Sequence, residues 1–332
     1  MPSTVSIIVP CYNEEKRIGF LLDAVCAQTY PLSKMEVIIA DGHSTDRTRE
    51  VIGAFQRAHP DLRVCVLDND ARTIPAALNR AIAASSGAVI VRLDGHSAPH
   101  PDYVENCVAA LEAGKGDSVG GVWEIRPGAD TWQARAIAVA AAHPLGVGDA
   151  LYRHAKTAAS VDTVPFGAWR RALSDRIGGY DESLLVNEDY EFNARIRRSG
   201  GKIWLDPAIR SIYFARSTPG ALSRQYFRYG FWKWRMLRRY PATLRWRQAL
   251  PPLFVLSLVA GLVLAPFWRP AGWLVGFELL AYFGILGLFG LRSAVQRRQA
   301  ALLFGLPLAI TIMHLSWGSG FLVGSLTPQR QG

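Results

Sequence analysis

Apolar positions in the first hundred residues follow two periods in turn. Short, mainly apolar runs lie at 5–9, 37–39, 63–67 and 88–93, and the first is typical of a strand buried on both faces of a parallel sheet. Positions with helical spacing separate them and predict helices at 18–25, 45–59 and 74–84, the second capped by Ser44 or Thr45. This alternation predicts an α/β fold with a doubly wound, mostly parallel sheet.

Polar side chains follow each of these predicted strands. Tyr12 and Glu14 follow the first, Asp41 follows the second, Arg72 comes after the third and Asp94 after the fourth. Ordinary helix capping explains Asp94 poorly, because prolines at 99 and 101 delay the next helix. Ligands of doubly wound sheets bind where strands end, so the sequence predicts a ligand site there.

A second group of polar residues lies between 164 and 216. Asn187 is a plausible N-cap, and Glu188 and Asp189 open a helix that ends at the glycines 200–201. Glu191 and Arg195 are spaced as an i, i+4 ion pair on this helix.

The last third of the chain contains three apolar segments, at about 250–268, 271–291 and 300–323. Each approaches or exceeds the ~20 residues that cross a bilayer. They are almost free of charge, which disfavours buried helices of a soluble domain. The loop with Arg292, Arg297 and Arg298 is expected in the cytoplasm by the positive-inside rule, which places the C-terminus outside.

The net charge of +10 belongs to the same third of the chain. Residues 221–332 contain 13 Lys and Arg and one acidic residue, whereas 1–220 contain 24 basic and 26 acidic residues. Charge beside apolar runs indicates an anionic membrane surface rather than nucleic acid. Residues 221–250 combine eight basic with eight aromatic residues, which predicts one or two helices on the cytoplasmic leaflet.

Two further features bear on location and class. The four cysteines are scattered and read as small buried hydrophobes, and no signal peptide is recognisable, so we expect residues 1–220 in the cytoplasm of a multi-pass inner-membrane protein. No G-x-G-x-x-G follows the first strand, which excludes a nicotinamide-binding Rossmann protein.

Four motifs in order carry a family resemblance. They are VSIIVPCYNEE at 5–15, VIIADGHSTDRT at 37–48, RLDGHSAP at 92–99 and NEDYEFNARIRRSG at 187–200. With them the chain resembles the family 2 glycosyltransferases of the GT-A fold, and among these the succinoglycan type of exopolysaccharide glucosyltransferase. The resemblance covers about 5–216 strongly and extends into 217–240. Together with the charge and apolar patterns it predicts a catalytic domain at 1–216, interfacial helices at 217–249 and a membrane domain at 250–326.

The resemblance also implies roles for the polar residues at the donor side. Pro10, Tyr12 and Glu14 would line the nucleobase and ribose pocket, and Asp41 would accept the imide N–H of uracil. Arg72 would lie near the diphosphate, and Asn79 would occupy the usual donor-side asparagine position. Asp94 matches the first aspartate of the DxD element, which holds Mg²⁺ or Mn²⁺ against the sugar diphosphate.

His96 departs from that element, because the family has aspartate at this position. Either His96 ligates a metal, with Mn²⁺ favoured over Mg²⁺ because imidazole suits the softer ion, or it binds the diphosphate directly. The third possibility is a loop histidine that points away from the site.

Two more matches concern the acceptor side. Glu188 and Asp189 match the family's acidic pair, in which Asp189 would be the general base of an inverting transfer. Gln225, Arg228 and Tyr229 resemble the QxxRW element of processive synthases, which grips the acceptor and the diphosphate.

The leading hypothesis is an inverting transferase that moves a hexose, glucose by resemblance, from a UDP-sugar to a polyprenyl-diphosphate-linked saccharide. A processive β-glycan synthase and a polyprenyl-phosphate sugar synthase are the alternative enzymes. A non-catalytic, membrane-bound module that binds nucleotide sugars is the alternative of another class. Membrane lipids are expected partners, nucleic acid is not, and the sequence leaves the oligomeric state open.

Overall fold

The computed structural model describes residues 2–243 and 245–328. The chain divides into two compact units. The first contains Met1–Glu124 and Leu151–Tyr213, and the second contains Ile125–Ala150 and Phe214–Gly332. The chain therefore enters the second unit twice. The domain boundary predicted at residue 216 lies close to the second entry and leaves residues 125–150 in the predicted catalytic domain.

Strands and helices alternate through the first unit, and helices make up nearly all of the second. The described strands are β1 (Val5–Cys11), β2 (Met35–Asp41), β3 (Arg63–Asp68), β4 (Val89–Arg92), β5 (Ala98–Pro99), β6 (Ser118–Arg126), β7 (Ala159–Val161), β8 (Ala168–Arg170) and β9 (Ile203–Phe214). The described α-helices are α1 (Ile18–Cys26), α2 (Thr48–Ala58), α3 (Ile74–Ala84), α4 (Tyr103–Glu112), α5 (Trp132–Ala142), α6 (Pro144–Val147), α7 (Arg171–Ile177), α8 (Glu188–Arg198), α9 (Pro219–Arg239), α10 (Trp246–Leu264), α11 (Arg269–Arg297) and α12 (Leu302–Leu326).

The described strands form one sheet in the order β3-β2-β1-β4-β8-β6-β9-β5, and β7 pairs with β9. The first four strands are parallel to one another, and β8 joins β4 in the antiparallel sense. The predicted α/β class with a parallel-rich sheet is confirmed.

Both faces of the parallel strands are covered. Ile7 and Val37 belong to a core on one face, and Ile8 and Ile38 belong to a second core on the other. Successive strand residues point to opposite faces, so a strand covered on both sides is apolar at most positions. This explains why the strands read as mainly apolar runs.

The strand register brings the polar residues to one edge of the sheet. Cys11 pairs with Asp41 and Asp41 pairs with Asp68, so β1, β2 and β3 end at the same level. Arg92 is the last residue of β4, beside Ile8 of β1. The loops after all four parallel strands therefore share one edge.

Helix α2 begins at Thr48 rather than at the predicted position 45. Ser44 and Thr45 do not cap the helix, because they bind neighbouring loop residues instead. The Ser44 hydroxyl donates to Asp41, and the Thr45 N–H donates to Asn13 Oδ1 at 2.8 Å. Asp46 Oδ1 accepts the N–H of Thr48 at 3.0 Å and satisfies one of the free donors at the helix start.

Helix α12 lies at the centre of the second unit and contacts α5, α9, α10 and α11. Along its N-terminal half it packs on α5 and α6, where a Cβ on Gly305 would meet Ala136 and His314 contacts the Leu145 carbonyl. Along its C-terminal half it packs on α9, beginning with a 2.9 Å hydrogen bond between Ser223 and Ser316.

The backbones of α9 and α12 are in direct contact. A Cβ on Gly320 would lie 2.1 Å from the Phe227 carbonyl oxygen, and a Cβ on Gly230 would lie 2.0 Å from the Trp317 carbonyl oxygen. Since no side chain fits in that space, glycine at these positions permits the close approach.

Among the described residues three helices are long and apolar enough to cross a membrane, and they coincide with the predicted segments: α10, α11 and α12. On α10 and α11 most large apolar side chains face outward, as Leu262 (63% exposed) on α10 and Trp273 (80% exposed) on α11 illustrate. Outward apolar surfaces of this extent indicate apolar surroundings.

The basic-aromatic segment predicted at 217–249 forms one helix, α9, followed by a 3-10 turn at Pro241–Thr243 and the start of α10. Lys233 is buried and donates to the Thr243 carbonyl at 3.3 Å. Arg245 and Arg247 both bind Asp149 at 2.9 Å. The charged start of α10 is thus fixed to the segment that follows α6.

Candidate active site

The loops after β1 and β2 are bound to each other at the sheet edge. Asn13 N donates to Ser44 Oγ at 2.8 Å, and Glu14 N donates to Thr48 Oγ1 at 2.8 Å. Asn13 and His43 have φ values of 54° and 58°, in the left-handed region that side chains other than glycine seldom adopt. Such backbone strain clusters at functional sites, where the surrounding contacts maintain it.

Asp41 lies beneath these loops and is fully buried. It accepts hydrogen bonds from the Ser44 hydroxyl, from Ser44 N at 3.0 Å and from Arg49 Nε at 2.6 Å. The same Arg49 guanidinium also binds Asp68 at the end of β3. Asp41 is thus paired with Arg49, whose side chain is 44% exposed, and a nucleobase that used this carboxylate would take the place of the Arg49 contact.

Tyr12, Gly42 and Arg72 lie side by side at this edge. A Cβ on Gly42 would be 3.4 Å from the Tyr12 ring and 3.6 Å from the Arg72 Cα. Tyr12 is half-exposed, so its ring offers a face to a planar ligand, and Arg72 adopts a φ of 54°. Pro10 is a buried residue of β1, one position before the strand ends.

Asn79 lies on α3, where its side-chain amide is occupied by the turn before α8. Its Nδ2 donates to the Tyr180 carbonyl and to Glu182, both at 2.9 Å, and its Oδ1 accepts the Tyr180 N–H at 2.7 Å. The structure therefore gives Asn79 a positioning role for this turn.

Arg92 gathers three carboxylates around one guanidinium. Its side chain is 2% exposed and binds Asp94 Oδ1 at 3.1 Å, Glu188 at 3.0 Å and Asp189 directly. The structure thus brings the predicted residue Asp94 into one cluster with Glu188 and Asp189, which lie almost one hundred positions later in the chain. Arg92 is not among the residues predicted from the sequence; the signal for it was a basic residue at the end of an otherwise apolar buried strand.

The electrostatics of this cluster depend on burial and on the excess of carboxylates. Burial raises the pKa of Asp189, and the neighbours Glu188 and Asp94 add to the rise, while Arg92 opposes it. Burial disfavours the charged form of Arg92, but the three carboxylates outweigh it and raise the pKa of Arg92 well above its usual value. A carboxylate with a raised pKa is a stronger proton acceptor than a solvated one.

Helix α8 delivers Glu188 and Asp189 to the cluster. Asn187, with φ of 69°, turns the chain into the helix, and both acids lie in its first turn, where the helix dipole favours negative charge. Asn193 anchors the helix through Thr163 Oγ1 at 2.9 Å, and the predicted Glu191–Arg195 pair is present.

His96 and Asp94, the two predicted metal ligands, have other partners in the structure. His96 Nδ1 contacts Glu14 Oε1 at 3.0 Å, and Glu14 packs over Gly95. Burial works against a protonated His96, but the Glu14 contact and the charges of Asp94 and Glu14 raise the pKa of His96. In the described part of the chain no group of three or more His, Cys, Asp or Glu residues is placed to hold a metal ion.

The side-chain atoms that Asp94 and His96 offer as ligands nevertheless fit a divalent ion. Both Arg92 contacts to Asp94 use Oδ1, which leaves Oδ2 outside that interaction. Likewise the Glu14 contact uses His96 Nδ1, and metal-ligating histidines commonly bind a carboxylate through their other ring nitrogen. A metal at His96 Nε2 would have to compete with the proton that Glu14 stabilises.

The predicted acceptor residues Gln225, Arg228 and Tyr229 lie on α9, in the second unit. Gln225 Nε2 donates to the Tyr229 hydroxyl at 2.9 Å, which holds two of the three together on one helix face. Arg228 is exposed.

Residues 6–178, which run from the second residue of β1 past β4 and the Arg92–Asp94 segment, match the family described as Glycosyl transferase family 2. The chain belongs to this family. The family resemblance inferred from the motifs is thereby confirmed.

Two relatives match this family 2 glycosyltransferase along almost its whole length. The succinoglycan biosynthesis protein ExoA of Rhizobium meliloti is 34% identical over 327 residues, which cover 97% of this chain and 95% of the relative. The dolichyl N-acetyl-alpha-D-glucosaminyl phosphate 3-beta-D-2,3-diacetamido-2,3-dideoxy-beta-D-glucuronosyltransferase of Methanococcus voltae is 26% identical over 326 residues, 96% of each chain.

The fold of this glycosyltransferase is similar to that of the mannosyltransferase PcManGT from Pyrobaculum calidifontis, solved with GDP-Man and Mn²⁺. The TM-score is 0.66 at 20% identity, and the match covers 94% of this chain and 87% of the other. At this identity the likeness establishes the fold alone.

Proposed function

We propose that the protein is an inverting glycosyltransferase that moves a hexose from a UDP-sugar to a polyprenyl-diphosphate-linked saccharide, at the cytoplasmic face of the cell membrane. The observation that carries this proposal is the cluster of Asp94, Glu188 and Asp189 around Arg92. It joins a carboxylate at the end of β4 to a carboxylate pair at the start of α8, which is what transfer from a sugar diphosphate requires.

Asp189 is the general base in this proposal. Its carboxylate takes the proton of the acceptor hydroxyl as that oxygen attacks the anomeric carbon, and the nucleoside diphosphate leaves from the opposite face. One displacement of this kind inverts the anomeric centre. Arg92 positions the Asp189 carboxylate and offsets part of the negative charge around it.

Asp94 and His96 are the residues that would hold a divalent metal, Mn²⁺ in preference to Mg²⁺ because one ligand is an imidazole. The ion would supply positive charge to the diphosphate leaving group. Glu14 would orient the His96 ring through Nδ1.

The donor nucleotide rests on Asp41, Tyr12 and Arg72. Asp41 suits the imide N–H of uracil, and guanine is the base to compare with it because guanine also presents an N–H donor at the equivalent edge. The complex of PcManGT with GDP-Man makes GDP the comparison of choice.

The acceptor proposal is supported by the second unit and by one relative. The apolar helices α10 and α11 and the basic helix α9 suit a lipid-linked acceptor. The Methanococcus voltae relative is named for a transfer to a dolichyl phosphate-linked sugar.

The test is transfer of label from radioactive UDP-glucose and GDP-mannose by membranes that contain the full chain. We expect label from the UDP-sugar in the lipid extract, with at least ~10²-fold less for Asp189→Asn, the low end of general-base catalysis. Glu50→Gln is the matched control, since Glu50 is an exposed acid in the first turn of α2.

Two results would contradict the proposal. Label in a long polymer would favour the processive synthase, and wild-type turnover by Asp189→Asn would remove the general base from this position.

A further inference from the structure

The second unit contains a cavity between the C-terminal end of α5 and the last two turns of α11. Its volume is about 260 Å³. The lining residues are Val139, Ala142, His143, Pro144, Phe289, Arg292, Ser293, Gln296 and Arg297. Residues 289, 292, 293, 296 and 297 lie on one face of α11, because they follow the i, i+3, i+4, i+7, i+8 spacing.

The cavity has an apolar part and a cationic part. Val139, Ala142 and Phe289 supply the apolar part, and Phe289 packs edge-on against the His143 ring at 5.3 Å. Arg292, Arg297 and Gln296 supply side-chain donors, and the described lining contains no carboxylate. This combination suits a ligand with a phosphate at one end and a hydrocarbon at the other.

The carboxylates of the second unit have partners elsewhere. Asp130 binds Arg135, Asp149 binds Arg245 and Arg247, and Glu278 accepts a hydrogen bond from Ser257 at 2.6 Å. The two arginines of the cavity therefore face an excess of positive charge within their own unit. The C-terminal end of α11 offers only a partial charge of roughly −0.5, which two guanidinium groups outweigh.

The cavity also lies at the boundary between apolar and polar sequence. Between residues 270 and 291 helix α11 has one charged residue, Glu278, and it is basic from Arg292 onward. The boundary between an apolar span and a group of arginines is where a helix meets the phosphate layer of a bilayer, so a cavity at this point of α11 suits a lipid phosphate.

We propose that this cavity binds the phosphate group of a membrane lipid, with Arg292 and Arg297 as the anion ligands and Phe289 and Val139 against the first carbons of the chain. The proposal rests on the membrane association proposed above. The volume suits a headgroup and its nearest methylenes, since drug-sized pockets begin at about 300 Å³. Arginine suits the role because its planar fork donates two parallel hydrogen bonds to a phosphate.

The experiment is a binding titration of the purified full chain in neutral detergent, without a sugar donor. The probes are dioctanoyl phosphatidylglycerol, a short-chain polyprenyl phosphate, dioctanoylglycerol and inorganic phosphate. We expect the two lipid phosphates to bind and the double variant Arg292→Gln, Arg297→Gln to lower their affinity about tenfold or more, as for loss of hydrogen bonds to a charged group. The tighter of the two lipids identifies the source of the phosphate.

Arg298→Gln is the matched control, because Arg298 follows α11 directly but does not line the cavity. We expect its affinity within about twofold of the wild type, since only screened surface charge changes. Equal weakening by Arg298→Gln, wild-type binding by the double variant, or equal affinity for inorganic phosphate or dioctanoylglycerol would each overturn the proposal. Lipid binding without sugar transfer would refute only the proposed function.

Discussion

Both ends of helix α12 pack on helices that continue directly from the sheet. Its N-terminal half contacts α5, which follows β6, and its C-terminal half contacts α9, which follows β9. Four basic residues of α9, Arg224, Arg228, Lys233 and Arg235, lie in or next to the stretch beside Ser316–Gly324. If α12 crossed the bilayer, these four would enter hydrocarbon at about 2.5–3.5 kcal/mol each, roughly 10 kcal/mol together.

That cost is comparable with the whole stability of a domain, about 5–15 kcal/mol. We therefore predict that α12 lies at the membrane–water interface. The C-terminus would then be on the same side of the membrane as the N-terminus. The positive-inside pattern of the sequence predicts the opposite side. The decisive assay is protease digestion of epitopes at the two termini in right-side-out and inside-out vesicles. Digestion of the C-terminal epitope in right-side-out vesicles, with the N-terminal epitope protected, would refute the packing argument.

A single methyl group tests the contact on which this prediction rests. Gly320→Ala would place a Cβ 2.1 Å from the Phe227 carbonyl oxygen, so the two helices must separate. We expect the free energy of unfolding in detergent to fall by about 1–3 kcal/mol, the usual cost of overpacking. Gly276→Ala is the matched control, because a Cβ there would meet nothing within 4 Å. Equal stability of the two variants would mean that α9 and α12 are not in contact.

Three further predictions concern the Arg92 cluster and the candidate metal ligands. Burial raises the pKa of Asp189, so this base becomes protonated as the pH falls through the raised value. We therefore expect kcat to decline at a pH above the ordinary aspartate pKa of about 4. A kcat–pH profile that falls only near pH 4 would contradict this expectation. Arg92→Gln leaves three carboxylates without their cation and should lower the free energy of unfolding by about 3–5 kcal/mol, measured by denaturant titration. Calorimetry should show weaker Mn²⁺ binding for His96→Ala and a shift toward Mg²⁺ for His96→Asp, whereas an unchanged Mn²⁺ isotherm for His96→Ala would exclude ligation.

The parallel half of the sheet and its polar edge were predictable from sequence, because both are local patterns. An apolar run identifies a buried strand, and the residues after it are at the ligand edge whatever the rest of the chain does. The start of α2 was not predictable in the same way. Ser44 and Thr45 have the side chains of helix caps, but their partners Asp41 and Asn13 belong to loops that only the folded sheet brings near.

Arg92 and helix α5 show the limit of sequence reasoning more clearly. The role of Arg92 depends on Glu188 and Asp189, which reach it through α8. Helix α5 is rich in alanine and gives no strong periodic signal, and its packing partner Gly305 is far along the chain from Ala136. Non-local contacts of this kind leave no mark on the local pattern of either segment.

The passage of residues 125–150 through the second unit sets an order of events on the ribosome. Helix α5 emerges about 160 residues before its partner α12 begins, a delay of roughly 8–30 s at bacterial or eukaryotic synthesis rates. During that interval the face of α5 that contacts α12 lacks that partner, so we expect a chaperone or the membrane surface to cover it. A recombinant fragment that ends at residue 216 would never gain α12, so this face of α5 would stay uncovered. A soluble version of that fragment would need polar replacements on the face of α5 that contacts α12.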